Sequence, residues 1–163
     1  MSQKIAVVGA GFIGRSWAMV FSKAGHHVSL YDIDPAALSE AMNLLEINIA
    51  DLESNGLISS KDDLLGRIQP YKTLEGAVEE AEWVQENALE NVQIKRELFS
   101  RMDELLPETT ILASSTSAIP CSDISNGMKG AGRIIVAHPA NPPYLLPIVE
   151  SVSYTHLTLP TSG

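Results

Sequence analysis

The sequence predicts an α/β fold, doubly wound around a mainly parallel sheet, on three observations. Short apolar, β-branched runs alternate along the chain with longer stretches whose apolar residues recur at helical spacing. The first such run, Lys4–Val8, empties directly into a glycine turn, Gly9-Ala10-Gly11-Phe12-Ile13-Gly14, with helical spacing behind it. The length of 163 residues, 45% of them hydrophobic, suffices for one core without disulfides or a metal.

Behind the turn, residues 13–21 read as a helix that Gly25 stops, and residues 27–32 (HVSLYD) as a second buried strand. Pro35 stands where proline opens a helix. Residues 36–55 carry Leu38, Met42, Leu45 and Ile49 at helical spacing, followed by a polar loop (Ser59, Ser60, Lys61, Asp62, Asp63) before Leu64 and Leu65. That pattern predicts a long helix with a helical return. A strand at Ile68–Tyr71, a short helix over 74–81 and a strand over 83–85 come next. Residues 92–106 form a helix with Ile94, Leu98, Met102 and Leu105 on its inner face, and Pro107 ends it. The strand Thr110-Ile111-Leu112-Ala113 runs into Ser114-Ser115-Thr116-Ser117. A short helix over 119–128 and a strand over 133–137 follow, emptying into His138-Pro139-Ala140-Asn141-Pro142-Pro143-Tyr144.

The net charge of -9 opposes binding to nucleic acid or anionic membranes, because repulsion acts on every encounter. Cys121 is the one cysteine, so no internal disulfide forms, and it reads as a small buried residue. The start has no signal- or transit-peptide character, and no apolar run approaches the roughly 20 residues that span a bilayer. These features predict a cytoplasmic protein. His26 and His27 read as surface or edge residues, and Trp17 and Trp83 as packing.

The glycine spacing carries the first chemistry. Gly9 permits a tight turn, Gly11 lets backbone approach a pyrophosphate, and Gly14 allows close packing of helix on strand. The helix that starts there aims unpaired N–H groups and its positive dipole end at phosphates, giving charge complementarity without any basic side chain. Proteins that bind FAD share such glycines, but strand before, helix behind and Asp32 at the end of the second strand point to a Rossmann-type domain for NAD. Asp32 would accept the adenosine ribose hydroxyls and repel a 2′-phosphate, and Ile33 stands where an arginine would have welcomed one. NAD is therefore favoured over NADP. The plain alternative for Asp32 is a solvated strand end or a cap for the helix opened at Pro35.

Ligands of an open parallel sheet gather beyond the carboxyl ends of its strands, which singles out ENALE (86–90), SSTS (114–117) and HPANPPYLLPIVE (138–150). His138 suits a general base that takes a proton from an alcohol while hydride leaves the same carbon. Glu150 suits the carboxylate that orients its ring, and Ser117 a hydroxyl that fixes the reacting oxygen.

At these residues the chain resembles the L-3-hydroxyacyl-CoA dehydrogenase family, and within it the lambda-crystallin branch, which includes L-gulonate 3-dehydrogenase. The shared motifs are the glycine turn with Ile-Gly-Arg-Ser-Trp-Ala-Met, Leu-Tyr-Asp, Ser-Ser-Thr-Ser and Ala-His-Pro-x-Asn-Pro-Pro-Tyr, between Ile5 and Glu150. The resemblance implies an NAD-dependent dehydrogenase in which Ser117, His138 and Glu150 are catalytic. It implies that Glu90 and Lys95 lie near the nicotinamide, with Phe12 and Ile13 in the cofactor turn and Asn141 shaping the substrate site. The substrate would be a small 3-hydroxy acid or its CoA thioester. Ser115 in place of an asparagine, and Pro139-Ala140 in place of an aromatic pair, point away from the thioester. A non-catalytic, crystallin-like NAD-binding protein is the reading from another class.

The family continues past the equivalent of Glu150 into a last strand and a helical second domain, which forms a homodimer. These 163 residues are expected to lack that domain. The expectation is an NAD-binding domain over residues 1–150 and a non-native tail over 151–163, since Ser151 to Thr161 resembles a translated sequencing adapter. The alternative is a real strand, because Val152, Tyr154 and His156 alternate with polar residues.

Overall fold

The computed structural model describes residues 2–146 and 148–152. Its seven strands are β1 (Lys4–Val8), β2 (His27–Tyr31), β3 (Ile68–Tyr71), β4 (Trp83–Glu86), β5 (Ile111–Ser114), β6 (Ile134–Pro139) and β7 (Val149–Val152). They form one sheet in the order β3-β2-β1-β4-β5-β6-β7. Every pairing is parallel except that of β6 with β7. The chain therefore winds outward from β1 to β3, then returns to β4 on the other side of β1 and winds the opposite way. Loops leaving the neighbouring ends of β1 and β4 diverge there and leave the crevice in which such folds bind ligands.

Helices cover both faces: α1 (Phe12–Lys23), α2 (Pro35–Ser54) and α3 (Lys61–Leu65) on one, α4 (Leu74–Val78), α5 (Val92–Leu105) and α6 (Cys121–Ser125) on the other. Side chains alternate along a strand. Hence β1 sends Ile5 and Val7 into the core under α1 and α2, and Ala6 and Val8 into the core under α5 and α6. Burial on both faces is why β1 reads as an unbroken apolar run.

Several elements differ from the sequence expectation. The polar stretch 59–63 is partly helical, because the Ser60 hydroxyl accepts the Asp63 N–H and starts α3 at Lys61. The short helices over 74–81 and 119–128 contract to α4 and α6. β5 runs through Ser114 and β6 through Pro139, so Ser114 and His138 stand in the ladder rather than in the loops beyond it. The inner face of α5 is turned. Lys95, Phe99 and Met102 are buried, whereas Ile94 and Leu105 are 40% and 46% exposed. The inward stripe runs i, i+4, i+7 from Lys95, and counting apolar residues could not start a stripe on a lysine. β7 crosses position 150, and residues 153–163, with Tyr154 and His156 among them, lie outside the described residues.

Trp17 is buried in the core, and Cys121 is buried with its thiol on the Ile134 carbonyl at 3.0 Å. Burial pushes that thiol above its ordinary value. Among the described residues no helix is long and apolar enough to cross a membrane.

Candidate active site

The glycine turn separates into two kinds of constraint. Gly9 has φ of +96°, and a Cβ there would meet the Asn87 carbonyl oxygen at 2.7 Å; a Cβ on Gly14 would overlap the Gly9 carbonyl oxygen. Those two positions are closed by backbone. A Cβ on Gly11 would meet nothing within 4 Å. Gly11 is the N-cap of α1, and no side chain caps that helix, whereas Asp34, Ser60, Thr73 and Asn91 cap α2, α3, α4 and α5. The free N–H groups of α1 thus face the open space beside Gly11.

Asp32 follows β2 and reaches back to this turn. Its Oδ2 accepts the Ala10 N–H at 2.7 Å and its Oδ1 the Asp34 N–H at 3.0 Å. The cap of the Pro35 helix is Asp34, through the Ala36 N–H, so the helix-cap alternative considered for Asp32 belongs to its neighbour. An ionised carboxylate has about four acceptor positions. Two on Asp32 remain for ribose hydroxyls.

Arg15 adds a basic side chain beside the turn. Its Nη1 donates to the Ala10 carbonyl at 3.2 Å, and its Nε is buried with no partner. An orphaned cationic donor, an uncapped helix start and a gap over Gly11 fit an anionic dinucleotide. With the strand order, they define a dinucleotide-binding domain.

Beside the turn lies a cleft of about 240 Å³, lined by Ile13, Asn87, Ala88, Glu90, Lys95, Ser115, Ser117, His138, Pro139 and Asn141. It brings together Ile13, Glu90, Lys95, Ser117, His138 and Asn141, drawn from four separate stretches of sequence. Phe12 is half exposed at the start of α1. Glu150 does not line the cleft. It is the ladder partner of His138 in the antiparallel pairing of β6 with β7. Directly opposed residues share a face with Cβ atoms about 5 Å apart. Glu150 is exposed, and no hydrogen bond joins it to His138.

The serine cluster divides by strand geometry. Ser114 is buried, and its hydroxyl donates to Glu86 Oε2 at 2.6 Å. The Ser115 hydroxyl donates to Asn87 Oδ1 at 2.7 Å and accepts from Trp17 Nε1 and Gln85 Nε2, which saturates it. Thr116 donates to Glu90 Oε1 at 2.6 Å. Ser117 is exposed, and among the described residues its hydroxyl has no protein partner.

Glu90 Oε1 also accepts the Ser117 and Ala118 N–H groups at 3.1 and 3.2 Å. Burial pushes the Glu90 carboxyl up, but the Thr116 hydroxyl, the Lys95 ammonium and those two N–H groups outweigh it and hold it below its ordinary value. Lys95 is 1% exposed, 2.8 Å from Glu86 Oε1 and 3.5 Å from Glu90 Oε2. Lys95 is therefore not a solvated surface lysine. Glu86, Asn87 and Arg15 escaped assignment from the sequence. The signal available for Glu86 was its place at a strand end, nine positions before a lysine.

Comparison with known proteins gives the same answer as the geometry. Residues 4–159 match the family model described as "3-hydroxyacyl-CoA dehydrogenase, NAD binding domain". The chain is 40% identical over 153 residues to the lambda-crystallin homolog of Bos taurus, covering 92% of this chain and 48% of that protein. It is 39% identical over 150 residues to an L-carnitine dehydrogenase of Streptomyces griseus, covering 92% of this chain and 44% of that one. The crystal structure of 3-hydroxybutyryl-CoA dehydrogenase from Escherichia coli K12 superposes with a TM-score of 0.89 at 30% identity, over 94% of this chain and 33% of that one. The chain belongs to the 3-hydroxyacyl-CoA dehydrogenase family, through its NAD-binding domain, and NAD is its cofactor. It spans about half the length of the curated relatives it matches.

Proposed function

We propose that this chain is the cofactor-binding part of an NAD-dependent dehydrogenase acting on the 3-hydroxyl of a short hydroxy acid, of the L-gulonate kind. The observation that carries the reading is the ladder pairing of His138 with Glu150 across β6 and β7, with His138 and Ser117 lining one cleft. Bound NAD supplies the hydride acceptor. Ser117 Oγ holds the reacting oxygen, and an imidazole nitrogen of His138 removes its proton. The Glu150 carboxylate orients that ring and stabilises its charged form. Asn141 shapes the wall of the site, and Ile13, Glu90 and Lys95 form the side facing the nicotinamide.

A 3-hydroxyacyl-CoA is the second reading. Against it stand Ser115 in place of an asparagine and Pro139-Ala140 in place of an aromatic pair. A panel of L-gulonate, other short 3-hydroxy acids, L-carnitine and a hydroxyacyl-CoA, run on the full-length enzyme, separates the substrates. In that enzyme His138→Ala should lower turnover by about 10²–10⁴ with NADH affinity unchanged. Unchanged turnover would refute the mechanism, whereas NAD binding without turnover of any substrate by the unsubstituted protein would favour a non-catalytic role.

A further inference from the structure

Lys95 occupies an unfavourable place. It lies in the first turn of α5, where the helix dipole repels a cation, and its side chain is 1% exposed. A buried charge persists only when it is paired and its hydrogen bonds are met. Glu86, itself wholly buried, meets that need: Lys95 Nζ lies 2.8 and 3.0 Å from its two oxygens. The ammonium's remaining contacts are the Ala88 carbonyl at 3.3 Å and Glu90 Oε2 at 3.5 Å.

Glu86 is fixed in turn. The Ser114 hydroxyl and the Ala88 N–H donate to it, each at 2.6 Å. A continuous chain therefore runs from Ser114 at the end of β5 to Glu86 at the end of β4, then to Lys95 and Glu90. It ends on the N–H groups of Ser117 and Ala118.

From this geometry we infer that Glu86 is a positioning residue: through Lys95 it anchors Glu90, and through Glu90 it holds the backbone that presents the Ser117 hydroxyl to substrate. The inference rests on the reading of Ser117 given above. Lys95 acts as a strut inside the wall of the cleft. Two carboxylates around one ammonium leave the wall one negative charge, which Glu90 turns onto the Ser117 and Ala118 amides.

The test is amide hydrogen exchange on the chain without cofactor or substrate. Glu86→Gln keeps the shape of the side chain and removes its charge. It should speed exchange at Ser117 and Ala118 about tenfold while leaving Gly130, whose N–H is held by Asp103, unchanged. In a Glu90→Gln background the same substitution should add nothing, because its path to Ser117 is already cut. Equal acceleration at Gly130, no acceleration at Ser117 and Ala118, or additive effects in the double variant would each overturn the inference. Should Glu86→Gln fail to fold, Ser114→Ala loosens the same carboxylate by one hydrogen bond. A smaller acceleration confined to the same two amides then supports the inference, and none refutes it. Exchange is read without turnover, so failure here is distinct from failure of the Ser117 reading, which would appear as unaltered turnover in Ser117→Ala.

Discussion

Helices α1 and α5 both begin at the carboxyl edge of the sheet, and their first turns are finished in opposite ways. α1 starts at Gly11 with no capping side chain, open space beside it and the unpartnered Nε of Arg15 close by. α5 starts at Asn91, whose side chain accepts the Ile94 N–H, and its first turn buries Lys95 between Glu86 and Glu90. Orphan donors at a helix start need partners from somewhere. At α5 the protein supplies them, and the turn becomes part of a wall. At α1 it does not, and the turn becomes a receptor for anions.

The strongest way to break this contrast is at Gly14. A Cβ there overlaps the Gly9 carbonyl, so Gly14→Ala should cost about 3 kcal/mol or more of stability by urea unfolding, and NADH binding should vanish with it. Gly11→Ala sharpens the contrast, since its Cβ meets no protein atom. Stability should change by no more than about 1 kcal/mol, while NADH affinity falls at least tenfold, about 1.4 kcal/mol, by fluorescence titration. Equal losses of stability at both glycines would mean that the space beside Gly11 is not kept for a ligand.

At the other helix, Asn91→Ala should lower stability by about 1 kcal/mol and leave NADH affinity unaltered, because that turn serves the protein rather than the cofactor. The smallest effect is the titration of Glu90. Its folded carboxyl lies below the ordinary value of 4.5, so its contribution to stability is present above that pH and is lost as pH falls through the lower folded value. The Ser117 and Ala118 amide resonances should therefore titrate below pH 4.5, and Lys95→Met should move their midpoint upward by removing the cation. An unmoved midpoint would show that Lys95 does not govern Glu90.

Much of the α1 side was legible in the sequence because its requirements are local. Gly9 and Gly14 meet backbone steric demands and Gly11 leaves open space within six consecutive positions, and Asp32 stands one residue past a strand that reads plainly as apolar. Arg15 was overlooked there, since the dipole argument asked for no cation. The α5 side was harder to read. Ile94 and Leu105 look like an inner face until the sheet shows which side of the helix it covers, and only then is Lys95 seen to be buried.

The sequence by itself determined the alternation of strands and helices, the glycine turn with its acid, and the presence of Ser117, His138 and Glu150 near strand ends. Hydrophobic periodicity and backbone sterics act over a few residues, so one linear reading recovers them. Tertiary structure alone decided that His138 and Glu150 are ladder partners, that among the described residues Ser115 is saturated while the Ser117 hydroxyl has no protein partner, and that a buried Glu86 holds Lys95. Those relations come from strand register and burial, which depend on segments tens of residues apart meeting in one place.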